Sequence, residues 1–292
     1  MKYGIIGTGA IGGYYGGKLA HSGQEVHFLF YRDYEYVKTH GPQVDSCDGS
    51  FHLPQVNAYQ RTEDMPPCDV VLVCLKSTNN HLLPDMLRPL LHQGTLVVMI
   101  QNGIGVEPDL QAKLPEVQLA AGLAFICSAK TEPGRVNHQC YGQINFGNYS
   151  CRDTALFEQL VADFNNAGVT AGTVEYEEAR WKKAVWNMPF NGMTVALDTQ
   201  TDLLLKQPAT RRLIRDLMEE VVGAANHLGV KGLDETFIDK MIDMTDQMTP
   251  YSPSMKLDYD FHRPMEIYYI YTRPIEIARE AGFRMPKLEM LE

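Results

Sequence analysis

Residues 3–12 read Tyr3-Gly4-Ile5-Ile6-Gly7-Thr8-Gly9-Ala10-Ile11-Gly12, a short apolar strand running straight into G-x-G-x-x-G. A helix-compatible stretch to Leu19-Ala20 follows, then a second strand, Glu25-Val26-His27-Phe28-Leu29-Phe30. A glycine pattern alone is a weak signal; between two strands, and opening a helix, it is a dinucleotide-binding fingerprint. Gly7 permits the tight turn, Gly9 lets the backbone approach a pyrophosphate, and Gly12 lets helix and sheet close together. Thr8, Ala10 and Ile11 complete the loop, whose N–H groups lie at the positive end of a helix and favour a phosphate. The stretch predicts a cofactor site over residues 7–12.

The end of the second strand bears on which cofactor. Rossmann folds that bind NAD place an Asp or Glu about 20 residues past the glycines, on the ribose hydroxyls. Here Phe30 and Tyr31 hold that position and Arg32 follows. A guanidinium suits a 2′-phosphate, through charge-assisted and often bidentate hydrogen bonds. The residues favour NADP(H); Asp33 as a displaced ribose ligand, and Arg32 as a solvated loop cation, are the alternatives.

With 292 residues the chain exceeds the usual ~100–200 per domain, so two domains are expected. The formal charge of −10 argues against non-specific nucleic-acid binding, which recruits basic surfaces. Six cysteines without a C-x-x-C pair and nine histidines without ligand spacing suggest neither structural zinc nor a disulfide framework, and a reducing compartment. A strand starting at residue 3 leaves no signal peptide, and no apolar run approaches the ~20 residues of a membrane span. A cytoplasmic protein without metal, nucleic-acid or membrane partner is expected.

The first half alternates strand and helix. Residues 69–75 and 96–100 are continuous apolar runs, as buried parallel strands require. Residues 119–126 form another, and 134–147 one or two more. Residues 81–91 read as a crossover helix limited by Pro84 and Pro89, and 155–167 as a further helix; Asp48-Gly49 marks a turn, with a small hairpin as one reading. Past Glu175 helical segments follow one another: 177–197, 209–228, 234–244 and 265–281. The expectation is an α/β fold: a Rossmann-type doubly wound sheet over 1–170, joined near 170–174 to an all-α domain over 171–292.

Three further places could carry chemistry. Lys76 and Asn102 each follow a strand, where open α/β sheets bind their ligands. Lys183, Asn187 and Asn191 lie four apart and form one stripe of a helix. Trp181, Val185, Met188 and Gly192 take the other side, expected to face the core. By spacing alone the stripe is either a solvated face or a cleft wall. In the second case amides supply hydrogen bonds and Lys183 a proton.

These motifs, taken in order, resemble those of the ketopantoate reductases, the 2-dehydropantoate 2-reductases of the pantothenate pathway. The likeness runs over nearly the whole chain. It includes Gly-Thr-Gly-Ala-Ile-Gly at 7–12, Val73-Cys74-Leu75-Lys76, Ile100-Gln101-Asn102-Gly103-Ile104-Gly105 and Pro133-Gly134. It continues with Trp181-Lys182-Lys183 through Asn187 to Asn191, Ser254-Met255-x-x-Asp258, and Arg263-Pro264-x-Glu266-Ile267. The resemblance implies Lys183 as general acid, Glu266 beside nicotinamide and substrate hydroxyl, and Asn187, Asn191 and Ser254 on the substrate. It implies Asn102 near the nicotinamide, and Arg32 and Lys76 near the 2′-phosphate. Gly192-Met193 stands where a proline and an aliphatic residue are usual, Thr201 where a further Asn is often found, and Tyr268 where an acid is common. The expected activity is NADPH-dependent reduction of ketopantoate to pantoate, in pantothenate biosynthesis. Reduction of another small 2-keto acid is the alternative, as is an NADP-binding sensor or scaffold, which would have no need of Lys183 and Glu266 together. Association into a homo-oligomer is left open.

Overall fold

The computed structural model describes all 292 residues. They form two compact units: 1–101 with 106–176, and 102–105 with 177–292.

The first unit is built on one mixed sheet. Its strands are β1 (Lys2–Ile6), β2 (Glu25–Leu29), β3 (Gln43–Ser46), β4 (Phe51–His52), β5 (Asn57–Tyr59), β6 (Val70–Val73), β7 (Leu96–Met99), β8 (Gln118–Glu132), β9 (Arg135–Asn148) and β10 (Ala171–Val174). The spatial order is β4-β3-β9-β8-β7-β6-β1-β2-β5, with β10 also on β9. From β5 to β8 all neighbours are parallel; β9 returns antiparallel to β8. Every residue of β6 and β7 is fully buried, which is why both read as unbroken apolar runs. Five helices cover the sheet: α1 (Ala10–His21), α2 (Tyr34–His40), α3 (Leu83–Leu87), α4 (Val106–Lys113) and α5 (Thr154–Asn166). Their core centres on Tyr3, Ile5, Tyr15, Phe28, Val98, Phe146 and Phe164. The buried Tyr3 hydroxyl donates to Asp163 Oδ2 at 2.7 Å, tying α5 to β1 without leaving a polar group unpaired.

The reading of 134–147 as one or two strands holds in its first form, a single long β9, but other sequence expectations are corrected. Residues 170–174 are no linker: β10 pairs with β9 through Ala171↔Ile144, so the first unit runs to Tyr176, past residue 170. The crossover helix shrinks to α3 and a 3₁₀ turn, Arg88–Leu90, because Pro89 has no N–H with which to continue it.

The second unit is helical: α6 (Tyr176–Ala196), α7 (Thr201–Lys206), α8 (Pro208–His227), α9 (Glu235–Asp246), α10 (Ser254–Asp260), α11 (Arg273–Glu280) and α12 (Pro286–Leu291). The apolar face of α6, Trp181, Val185 and Met188, meets Ile214, Leu217 and Val221 of α8 and Ile238 and Ile242 of α9 in one core. The single helix expected over 265–281 is a π-helical turn, Tyr268–Thr272, followed by α11. Pro274 offers no N–H to Ile270, so the backbone opens one residue wider there. Helix α6 carries its own irregularity, Pro189. One turn on, the Tyr271 hydroxyl donates to the Met188 carbonyl at 2.5 Å, and the Gly192 N–H points at the hydroxyl oxygen of Tyr271. Met188 and Gly192 are an i, i+4 pair, so a side-chain hydroxyl stands within the helical ladder. No helix is long and apolar enough to cross a membrane.

Candidate active site

In the first unit the functional candidates gather at the carboxyl ends of three adjacent parallel strands. The glycine loop follows β1, Arg32 follows β2, and Lys76 follows β6. The three loop glycines meet three different surroundings. A Cβ on Gly7, whose φ is +94°, would stand 2.5 Å from Leu75 N, and one on Gly12 would stand 2.3 Å from Gly7 O. A Cβ on Gly9 would meet nothing within 4 Å. Two of the glycines are therefore required by the protein's own packing. The third opens onto free space at the N-terminus of α1, whose first turn holds no acidic residue and whose leading N–H groups have no intrahelical acceptor.

The loop is held from two sides. Thr8 donates its hydroxyl to the Leu29 carbonyl at the end of β2. Lys130 of β8 reaches the Thr8 carbonyl at 3.1 Å and forms an ion pair with Asp33. Asp33 is 7% exposed and also accepts the Gly134 N–H at 3.0 Å. Its carboxylate is thus committed within the fold. Arg32, by contrast, is exposed, as is Tyr31 beside it. A buried amide pair fixes the neighbouring strand ends: Gln101 Nε2 donates to Asn80 Oδ1 at 2.8 Å and to Leu75 O at 2.7 Å, and Asn80 Nδ2 donates back to Gln101 Oε1 at 3.1 Å.

The second unit holds a pocket lined by Arg180, Lys183, Ala184, Asn187 and Met188 of α6, by Gly103 and Ile104, and by Tyr269 and Ile270 of the π turn. The segment 102–105 groups with this unit and not with the sheet it leaves, which places Asn102 here. The Ile104 N–H donates to Tyr269 O at 2.9 Å. Gly103 passes so close that a Cβ would lie 2.4 Å from that same oxygen. Along the polar stripe Lys183 and Asn187 are half-buried, whereas Asn191 is 1% exposed and its Oδ1 has no partner. A solvated face is thereby excluded.

Burial pushes the Lys183 ammonium down to about 7, helped by the positive charge of Arg180 and opposed by the carboxylate of Glu266. A cation whose proton is so loosely held is suited to acid–base work near neutrality. Arg180, 3% exposed, had no sequence signal beyond standing one turn before Lys183 on the same stripe. Lys130, Asn80 and Gln101 were equally silent, since their partners are remote in sequence. Ser254 is exposed as the first residue of α10 and does not line the pocket.

A glycine loop open at one helix N-terminus, and a lysine of depressed pKa in a helical unit, define a Rossmann-type oxidoreductase. A family model described as ketopantoate reductase PanE/ApbA matches residues 3–150, and its C-terminal counterpart matches 175–292. The chain belongs to the ketopantoate reductase family. It is 45% identical to a 2-dehydropantoate 2-reductase of Nostoc sp., over 99% of this chain and 92% of the relative. Among solved structures it is similar to the 2-dehydropantoate 2-reductase of Geobacter metallireducens, at 40% identity and a TM-score of 0.95 over 100% of this chain and 97% of that one. It is also similar to that of Methylococcus capsulatus, at 32% identity and a TM-score of 0.91 over 100% and 94%.

Proposed function

We propose that this chain reduces ketopantoate, the substrate in its relatives' names, to pantoate, with NADPH as hydride donor. The observation that carries this reading is Lys183, held near a pKa of 7 beside Arg180 and Glu266 in a pocket of the helical unit. When bound, the dihydronicotinamide supplies a hydride to the ketone carbon. The free space over Gly9 at the head of α1 fits its pyrophosphate, and Arg32 and Lys76 fit the 2′-phosphate. The burial of Asp33 in its own contacts supports NADP(H) over NAD(H), because it removes the rival ribose ligand. Lys183 Nζ then meets the negative charge that develops on the carbonyl oxygen and gives it a proton. Glu266 accepts the substrate hydroxyl and, being anionic, helps Lys183 keep its proton until it is needed. Asn102 takes the nicotinamide side, and Asn187 and Asn191 the substrate; Ser254, exposed and outside the pocket, lacks their support.

The direct test is NADPH oxidation with ketopantoate, set beside 2-keto acids that lack its hydroxyl. Selective turnover of ketopantoate is expected. Equal turnover of the others would favour the second reading, a different small 2-keto acid, which draws on Thr201: 1% exposed, with its Oγ1 unpartnered. No oxidation with any of them would leave only a binding protein.

The pH profile has a definite sign. Lys183 must be protonated to act as an acid, so reductive kcat/KM should hold below its pKa of about 7 and fall tenfold per unit above it. A profile flat into the alkaline range would remove Lys183 from that role. Asn191→Ala should raise KM for the keto acid by the worth of one hydrogen bond, about 0.5–1.5 kcal/mol, and leave the Kd of NADPH unchanged. A shift in the NADPH Kd with no change in KM would place Asn191 on the cofactor instead.

A further inference from the structure

Four strands from β1 in the sheet order, against the flank of α1, a second group of side chains converges on one point. Strand β3 runs parallel to β9 with Ser46 opposite His138, and the chain then turns through Cys47 and Asp48 over the end of that pairing. His138 is fully buried in its side chain, packed at 4.3 Å against the Tyr14 ring of α1 with the two planes tilted by 45°. One ring nitrogen, Nε2, lies 3.0 Å from the Tyr141 carbonyl. A carbonyl only accepts, so Nε2 carries the proton and Nδ1 holds a lone pair. That lone pair faces Ser46 Oγ at 2.8 Å, Cys47 Sγ at 3.8 Å and Asp48 Oδ2 at 4.0 Å. Cys47 Sγ is in turn 3.6 Å from Asp48 Oδ1.

Two features show that this imidazole is held in place. Tyr141 takes a φ of +62° and Gly142 one of +117°, at the irregularity where β8 and β9 change register. A tyrosine in that region is strained, and the strained residue is the one whose carbonyl fixes the His138 tautomer. A histidine that donates one N–H to a backbone carbonyl and keeps a lone pair on the other nitrogen, here facing the Ser46 hydroxyl, has the arrangement of a metal-bound imidazole with its outer-shell partner.

We propose that Cys47, Asp48 and His138 form a binding site for a borderline divalent cation of the Zn²⁺ class. Tetrahedral zinc, with bonds of about 2.3 Å to sulfur and 2.0–2.2 Å to nitrogen or oxygen, sets its ligand atoms about 3.3–3.6 Å apart. With one ligand atom taken from each residue, the three lie within 4.8 Å of one another, Sγ and Nδ1 at 3.8 Å, and rotation of the two exposed side chains, Cys47 and Asp48, brings them to that geometry. The donor set of thiolate, imidazole and carboxylate selects zinc or cobalt over magnesium or calcium. Cys47 gives up its thiol proton on binding, and Ser46 Oγ swings away from Nδ1, keeping the Asp48 N–H it already accepts at 3.1 Å. The fourth position faces solvent. The bound ion ties the β3–β4 turn to β9. Sequence spacing hides the site because Cys47 and His138 are 91 positions apart.

The test is equilibrium dialysis of the full chain with Zn²⁺, followed by Co²⁺ as a spectroscopic probe. One Zn²⁺ per chain and a thiolate-to-cobalt charge-transfer band are expected. Cys47→Ala, at an exposed position, should weaken Zn²⁺ binding by at least about 100-fold, beyond the 10–100-fold typical of an outer-shell partner, and abolish the band. Ser46→Ala should tighten binding, since it removes the group competing for Nδ1. Absence of stoichiometric Zn²⁺, or an affinity untouched by Cys47→Ala, would overturn the proposal. His138→Gln is the weaker variant, because it also removes a buried ring from the fold.

Discussion

Lys183→Ala should lower kcat by about 10²–10⁴-fold, the range for general acid catalysis, and leave the Kd of NADPH unchanged. The substitution deletes both the proton and the positive charge that meets the developing alkoxide. Lys182 is the internal control. It forms an ion pair with Glu178 and lies 5.6 Å over the Phe237 ring, committed to the other side of α6. Lys182→Ala should retain turnover. Steady-state kinetics with NADPH and ketopantoate read both variants. Activity surviving in Lys183→Ala but lost in Lys182→Ala would shift the whole polar stripe by one residue.

Arg32→Ala should weaken NADPH by about 1.5–3 kcal/mol, the worth of a hydrogen bond to a charged group, and leave NADH nearly unchanged. The structure sharpens the expectation, because Arg32 is exposed at the end of β2 while Asp33 is buried in its own contacts. Asp33→Asn should therefore disturb the loop through Lys130 and Gly134, with no preference between the two cofactors. Fluorescence titration with each cofactor separates the cases. Equal losses for NADPH and NADH in Arg32→Ala would take Arg32 off the 2′-phosphate.

Much of the architecture was legible because its signals are local. A buried parallel strand needs a continuous apolar run, and residues 70–73 and 96–99 supply one; a tight turn needs glycine, and Gly7 is there. What escaped depends on partners far away in the chain. Nothing in residues 170–174 says that Ile144 waits to pair with Ala171. Nothing in 102–105 says that this loop will pack with helices and not with its own strand. The stripe of α6 was visible by spacing, but only tertiary structure separates a solvated amide from Asn191, 1% exposed. Arg180 was hidden for the converse reason: an arginine near a helix start ordinarily lies at the surface.

The hydroxyl of Tyr271 inside the α6 ladder makes the choice of residue at 192 depend on elements outside that helix. A side chain at 192 would meet that oxygen at 2.6 Å and Leu291 of α12 at 2.7 Å, so Tyr271 and Leu291 together hold this position to glycine. A proline at 192 would remove the N–H that faces the hydroxyl and drive a ring into it. Removing the hydroxyl alone frees the Gly192 N–H to close the ordinary helical bond to Met188 O, yet leaves Leu291 in the way of any side chain at 192. A larger residue at 192 therefore needs room made at both 271 and 291. The turn that carries Asn187 and Asn191 is thus keyed from outside its own helix, and a single residue grafted there from a relative would arrive without the neighbours that fit it.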